Sequence, residues 1–259
     1  MFQAAQLTAL PWLRHGFSAR AGGVSTVYGQ PDDLNLGFTQ EDDRAKVEEN
    51  RRLFLQSIAP GHDWPLRNTR QIHSDITRAV TDTSTPLEPA DGLTTALHGV
   101  FLAMLTADCV PVLIADRKQR AVGAFHAGWR GTVAGIVEKG VQHMRATYGS
   151  DPEDLLAAIG PSIGPCCYMV GDEVITRFHE TFSYASELFR NRKLDLWQAN
   201  RRQLMSAGVP SANISIKNLC TASTFSFEGR RAFFSYRAEN GVTGRMMSVI
   251  AVSPSDTMA

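Results

Sequence analysis

Short apolar runs alternate with polar, turn-forming stretches along the chain, and the runs carry two different periods. Val100-Phe-Leu-Ala-Met-Leu105, Val112-Leu-Ile-Ala115, Ala121-Val-Gly-Ala-Phe125 and Leu155-Leu-Ala-Ala-Ile159 are nearly continuous, the pattern of strands buried on both faces. Ile76 to Val80, Ile214 to Ile216, Ala232 to Tyr236 and Met246 to Val252 are further expected strands. Pro111 has no N–H to donate, so Val110 and Pro111 are expected outside the central ladder. Helical spacing places Val47, Leu53, Phe54 and Ile58 on one stripe with Asn50 and Arg51 near its edge. The stripe follows an acidic start at Glu41-Asp-Asp-Arg44 and ends before Pro60-Gly61. A second stripe, Val133, Ile136, Val137, Val141 and Met144, predicts one helix after the Gly128-Trp-Arg-Gly131 turn. Two more helices are expected near Asp172 to Phe178 and over Asp195 to Ala207, the latter closed by Gly208 and Pro210.

Three polar stretches interrupt this pattern. The glycines of His15-Gly-Phe-Ser-Ala-Arg-Ala-Gly-Gly-Val-Ser25 suit either a loop that brings Arg20 to a ligand or an ordinary surface turn. Thr81 to Gly92 is rich in turn formers and reads as a surface loop. Gly160-Pro-Ser-Ile-Gly-Pro-Cys-Cys-Tyr168 reads as a rigid loop that lines a pocket or only turns sharply.

Composition narrows the function classes. Hydrophobic residues make up 43% and charged residues 20%, ordinary for a soluble globular protein. Lys plus Arg and Asp plus Glu both total 26, so electrostatics gives no reason to expect nucleic acid as a partner. The first residues lack a basic segment followed by a long apolar core, and no uncharged run approaches the roughly 18 residues that span a bilayer. A cytoplasmic location without a membrane partner is the resulting expectation. Cys109, Cys166, Cys167 and Cys220 match neither a disulfide framework nor a CxxC knuckle, so reduced thiols are expected.

Candidate chemistry gathers where the runs end. Thr106-Ala-Asp-Cys109 and Ala124-Phe-His-Ala-Gly-Trp-Arg-Gly131 close two successive apolar runs, and Gln71-Ile-His73 precedes a strand. His73, Cys109 and His126 offer the three donors that a catalytic zinc commonly takes, but lie too far apart in sequence for a local knuckle. The same Cys and His types also suit a metal-free nucleophile and base, with Asp108 or another acid orienting the imidazole. Residue types alone leave both readings open. Arg130 and the N–H groups after the Gly-Trp-Arg-Gly turn offer an anion site at a helix start, or simply a strand-turn-helix junction.

Nine strings, in order, resemble one family: Arg14 to Ser25, Asn35-Leu-Gly37, Glu49-Asn-Arg51, Gln71-Ile-His73, Ala90-Asp-Gly92, Thr106-Ala-Asp-Cys-Val-Pro111, His126-Ala-Gly-Trp-Arg-Gly131, Ile159-Gly-Pro-Ser-Ile-Gly164 and Phe234-Ser-Tyr-Arg237. They are similar to those of the laccase-domain family, whose members are called polyphenol oxidase, purine nucleoside phosphorylase and peptidoglycan editing factor. The resemblance runs through nearly the whole chain. It implies a single α+β domain over residues 1–259, with mixed β-sheets flanked by helices and similar to a cysteine hydrolase fold. It further implies that His73, Cys109 and His126 are catalytic and bind zinc, with copper as the competing ion. The implied activity is phosphorolysis of adenosine, inosine, guanosine and methylthioadenosine with phosphate, together with adenosine deamination.

Against that implied chemistry, Arg20, Arg51 and Arg130 are the expected phosphate contacts, and Asn35 and Gln71 the expected ribose or base contacts. Editing of wrongly loaded muramyl peptide precursors, copper-dependent phenol oxidation and a non-enzymatic metal-stabilised binding module are the alternatives. A multicopper oxidase needs many histidines, and the chain has seven. The oligomeric state is left open.

Overall fold

The computed structural model describes residues 1–254. Its helices are α1 (Ala5–Thr8), α2 (Arg44–Ile58), α3 (Trp129–Val133), α4 (Ile136–Tyr148), α5 (Asp172–Thr181) and α6 (Leu196–Ser206). The strands are β1 (Leu13–Phe17), β2 (Ala21–Ser25), β3 (Leu66–Arg67), β4 (Thr77–Ala79), β5 (Gly92–Thr95), β6 (Phe101–Thr106) and β7 (Val110–Asp116). They continue with β8 (Val122–Ala127), β9 (Leu155–Ile159), β10 (Phe189–Arg190), β11 (Lys193–Leu194), β12 (Ile214–Ile216) and β13 (Met246–Val252).

Two mixed sheets stack face to face in this α+β fold. The smaller has the order β1-β13-β6-β3 and is antiparallel except where β3 joins β6. The larger has the order β12-β9-β7-β8-β5-β4, antiparallel at its centre and parallel at both outer pairs. Alternation along β6 shows why its run is continuously apolar. Phe101 and Ala103 pack with Phe54 and Ile58 of α2, whereas Leu102 and Met104 pack with Leu113 and Ala124 of the other sheet. The outer face of the larger sheet is covered in turn by Ile136, Val137, Val141 and Met144 of α4 and Leu204 of α6. Every residue of β7, β8 and β9 is buried.

Helix α2 starts and stops where the sequence indicates, with the Asp43 carboxylate accepting the Ala45 N–H at its N-cap. Asn50 is not at an edge but fully buried. Its amide accepts from Val24 N–H and donates to Ser25 Oγ and the Asn35 carbonyl, tying α2 to the strand that precedes it. The single helix expected after residue 131 is two, because Gly135 takes φ of 82°, a left-handed conformation that ends α3 and starts α4 in a new direction.

Four other expectations need correction. Pro111 lies inside central β7, opposite His126. Its carbonyl accepts from Gly160 N–H just past the end of β9, so its missing donor faces a place where the neighbouring ladder has already ended. Ala232 to Tyr236 is not a strand. Phe233 and Phe234 are apolar because they plug a small core beside Met246, and the Ser235 hydroxyl turns to Asp108. The 15–25 stretch holds the end of β1 and all of β2, and Ala90 to Gly92 at the end of the expected surface loop is buried.

Candidate metal centre

The antiparallel pairing of β7 with β8 sets Val110 opposite Ala127, so Cys109, just before β7, meets His126 near the end of β8. The pairing of β5 with β8 sets Gly92 opposite Phe125 and brings Asp91 beside His126, whose N–H donates to the Asp91 carbonyl at 2.7 Å. Parallel β4 lies along β5, which delivers the preceding His73 loop to the same end of the sheet. His73 has φ of 60°, unusual for a residue with a Cβ and held by the hydrogen bonds of its neighbours.

One donor atom from each of His73, Cys109 and His126 lies within 4.8 Å of the other two. The Cys109 Sγ to His73 Nε2 distance is 4.0 Å. His126 Nδ1 is 2.8 Å from Asp91 Oδ1, which leaves Nε2 for the interior of the cluster. Asp91 also accepts from the N–H groups of Ile72, His73 and Ser74 and from the Ser74 hydroxyl. One fully buried carboxylate thus fixes both the ring of one histidine and the backbone that carries the other.

Electrostatics supports the charged forms. Burial alone would hold Cys109 neutral, yet the adjoining His126 and His73 outweigh it and push the thiol down from its ordinary value. Burial likewise opposes charge on His126, and the facing Cys109 and Asp91 push its pKa up. Burial and hydrogen bonding oppose one another at Asp91, where His126 and Ser74 hold the carboxyl below the usual range. Two imidazoles and a readily formed thiolate converging with a carboxylate-oriented histidine fit a borderline-soft divalent ion.

Gly128 lines this cluster as closely as a residue can, since a Cβ there would stand 3.1 Å from both Cys109 Sγ and His73 Cδ2. The cluster opens into a cavity of about 920 Å³, whose walls include Gln71, Trp129, Arg130, Tyr168 and Arg237. Burial first, and then the Cys109 charge, push the Tyr168 phenol up to about 12. Arg70 and Arg245 also line the cavity.

Of the residues expected at the substrate, only Gln71 and Arg130 line this cavity. The Gln71 amide exchanges two 2.8 Å hydrogen bonds with the backbone of Leu105, which fastens the His73 loop to β6. Arg130 stands over the Trp129 ring, 4.3 Å from its centroid, and forms no ion pair among the described residues. Its position is inside α3, a single short helix rather than the start of a long one.

Arg20, Asn35 and Arg51, also expected at the substrate, do not line the cavity and contact other parts of the fold. Arg20 is 2% exposed, with its guanidinium committed to Asp33, Glu239 and the Tyr28 carbonyl. Fully buried Asn35 donates to the Gly37 carbonyl and to Asp42, and accepts from the Gly37 and Arg245 N–H groups. Arg51 donates to the Leu36 carbonyl and lies against the Phe38 ring. Asp108 does not orient an imidazole either, because its carboxylate accepts from Thr221, Ser235 and the Arg237 N–H.

Asp91, Arg70, Tyr168, Arg237 and Arg245 are the site residues that the residue-type reading missed. Asp91 and Arg237 lie in the quoted strings Ala90-Asp-Gly92 and Phe234-Ser-Tyr-Arg237, so a signal existed for them. Arg70 and Arg245 carry no such signal.

The family model described as multi-copper polyphenol oxidoreductase laccase matches residues 14–253. The chain is 36% identical to the purine nucleoside phosphorylase YlmD of Geobacillus stearothermophilus, over 95% of this chain and 96% of that protein. It is 35% identical to the purine nucleoside phosphorylase YfiH of Escherichia coli K12, over 90% and 91% of the two chains. The crystal structure of YlmD from G. stearothermophilus superposes with a TM-score of 0.83, covering 97% of this chain and 94% of that one at 35% identity. Sequence and fold agree along nearly the whole length, and the chain belongs to the laccase-like family described as multi-copper polyphenol oxidoreductase, alongside relatives named YlmD and YfiH.

Proposed function

We propose that the protein is a zinc-dependent purine nucleoside phosphorylase. It takes adenosine, inosine, guanosine or methylthioadenosine with phosphate to the free base and the corresponding ribose 1-phosphate, and it deaminates adenosine as a second activity. The observation that carries this reading is the convergence of His73, Cys109 and His126 in a cavity that also presents Arg130 and Arg237. The relatives named as purine nucleoside phosphorylases support the same reaction class.

Zinc held by the three donors supplies Lewis-acid activation, the chemistry that makes water a nucleophile in deamination. The chain's own groups do the rest. Asp91 takes the Nδ1–H of His126 and fixes the tautomer that points Nε2 inward. Arg130, Arg70 and Arg237 line the cavity and hold the phosphate as a cationic cradle. Trp129 and Tyr168 offer aromatic walls against which a purine packs. In phosphorolysis a phosphate oxygen forms the new bond to C1′ while the bond from C1′ to the base nitrogen breaks, and the departing purine takes up one proton. Holding phosphate and nucleoside side by side converts this into a step within one complex.

Metal-replete protein incubated with adenosine and phosphate is expected to release adenine and ribose 1-phosphate, and to form inosine when phosphate is withheld. Absence of both adenine and inosine, with a control phosphorylase and deaminase active in the same buffers, overturns the reading. Copper competes for the same donors by the stability order of divalent ions, so metal analysis of chelator-washed protein accompanies the assay.

A further inference from the structure

A second cluster of soft donors stands apart from the cavity. The sulfurs of Cys166, Cys167 and Cys220 lie within 4.8 Å of one another, and none of these residues lines the cavity described above. All three cysteines are free thiols. Cys166 and Cys167 are neighbours in sequence, and distant Cys220 is brought to them by backbone pairing. Ser162 and Thr221 exchange hydrogen bonds with the opposite segment, from Ser162 N–H to the Leu219 carbonyl and from Thr221 N–H to the Ser162 carbonyl. The Cys167 and Tyr168 N–H groups both donate to the Gly164 carbonyl, closing a tight turn that presents two sulfurs side by side. Cys220 is buried, Cys167 half-buried and Cys166 exposed, so an ion has a route in.

The backbone around Cys220 suits a thiolate. Gly164 N–H donates to Cys220 Sγ at 3.2 Å, a hydrogen bond that favours the anionic sulfur. The Ser223 hydroxyl stands 3.5 Å from Cys166 Sγ. Gly164 has no room for a side chain, because a Cβ there would fall 2.6 Å from the Trp197 ring and 3.3 Å from Cys220 Cβ. The turn is thereby pressed against the segment that carries the third sulfur. No histidine or carboxylate joins the group among the described residues. A structural zinc ion asks for four protein donors. Three sulfurs with no fourth donor suit a soft monovalent ion that is satisfied by a trigonal sulfur environment.

We propose that Cys166, Cys167 and Cys220 form a second metal site, distinct from the His73–Cys109–His126 centre, which binds one cuprous ion through three thiolates. Binding forms three Cu–S bonds and releases the thiol protons to solvent, with no change in the oxidation state of the metal or sulfur. Occupancy cross-links the 160–168 turn to the segment after β12. Since Ile163 and Tyr168 of that turn line the cavity, the ion would brace one wall of the active cleft from behind.

The test is an anaerobic titration of the reduced full-length protein with Cu(I) buffered by bicinchoninate, run beside the double variant Cys166→Ser, Cys167→Ser. These positions are exposed and half-buried, so the variant is expected to fold, and unchanged circular dichroism confirms it. The wild-type protein should take up about one equivalent more Cu(I) than the variant, with additional sulfur-to-copper charge-transfer absorption over that of the variant. Subtracting the variant removes any Cu(I) held at the His73–Cys109–His126 centre, so the result does not depend on the proposed phosphorylase activity. Equal uptake by both proteins overturns the site. Zinc uptake that exceeds the variant's while Cu(I) uptake does not overturns the choice of ion. A disulfide among these three cysteines in protein purified without reductant, in place of the free thiols, overturns the proposal as well.

Discussion

Asp91 Oδ1 lies 2.8 Å from Nδ1 of His126, and the same carboxylate accepts the backbone N–H of His73 at 3.0 Å. Two of the three metal-binding candidates are therefore oriented by one side chain that is not itself among the three donors. Asp91→Asn keeps the size of that side chain and loses its charge. Zinc affinity is expected to fall by about 10- to 100-fold, the usual effect of removing such a partner. Competition with a chromophoric chelator measures it, and an unaltered affinity would show that the carboxylate only supports the fold.

Cys109→Ser replaces a soft thiolate with a hydroxyl that stays protonated at neutral pH, and so should lower zinc occupancy and abolish turnover of adenosine by either route. Chelation of the wild-type protein should reproduce the loss, and zinc should restore it. If the chelated protein works as well as the zinc-loaded one, the metal-free pairing of Cys109 with His126 becomes the better mechanism.

The arginines separate a role in folding from one in binding. Arg20→Ala leaves Asp33 buried with its partner gone and should cost about 3–5 kcal/mol of stability. Arg130→Ala removes a cavity-lining group with no ion pair among the described residues, and should leave the melting temperature within a few degrees while raising KM for phosphate about tenfold or more. Denaturant titration and phosphate-dependent kinetics distinguish the two; equal loss of stability would contradict the assignment of Arg130 to the cavity chemistry.

His15 gives a pH dependence with a defined sign. Burial, and next the charge of Lys217, lower its pKa to about 4, and its Nε2 accepts the Ala4 N–H. In the unfolded chain histidine titrates near ~6.5, so the unfolded state takes up a proton first as pH falls. The stability held by neutral His15 is complete above that value and is lost progressively down to about 4, by at most about 3 kcal/mol. His15→Gln cannot titrate and can still accept from Ala4. Between pH 7 and pH 4.5 its melting temperature should therefore drop less than that of the wild type, and parallel pH profiles would remove His15 as the cause.

The placement of elements was legible where one period dominated. The continuous runs at 101–106, 112–115 and 246–252 are strands because both faces of each meet apolar layers, and such burial leaves its mark in every residue. The stripe beginning at Val133 hid a break because Gly135 is compatible with helical spacing and only the direction of packing demands its left-handed turn. Phe233 and Phe234 misled for a related reason, since a plug in a small core is as apolar as a strand.

By itself, the sequence determined most strands of the two-sheet core, though not β1, β3 or β5, together with the three candidate donors and, through the ordered strings, the family. Those features reside in residue type and local spacing, which a linear chain displays directly. Only tertiary structure decided which arginines face the cavity, that Asp91 rather than Asp108 orients a histidine, and that Cys166 and Cys167 meet Cys220. The guanidinium of Arg20 and that of Arg130 are chemically the same; what differs is whether the fold has already spent its donors on Asp33, Glu239 and Tyr28 or left them facing an open cavity. Burial and hydrogen-bond partnership are properties of three-dimensional neighbours, and no spacing along the chain encodes them.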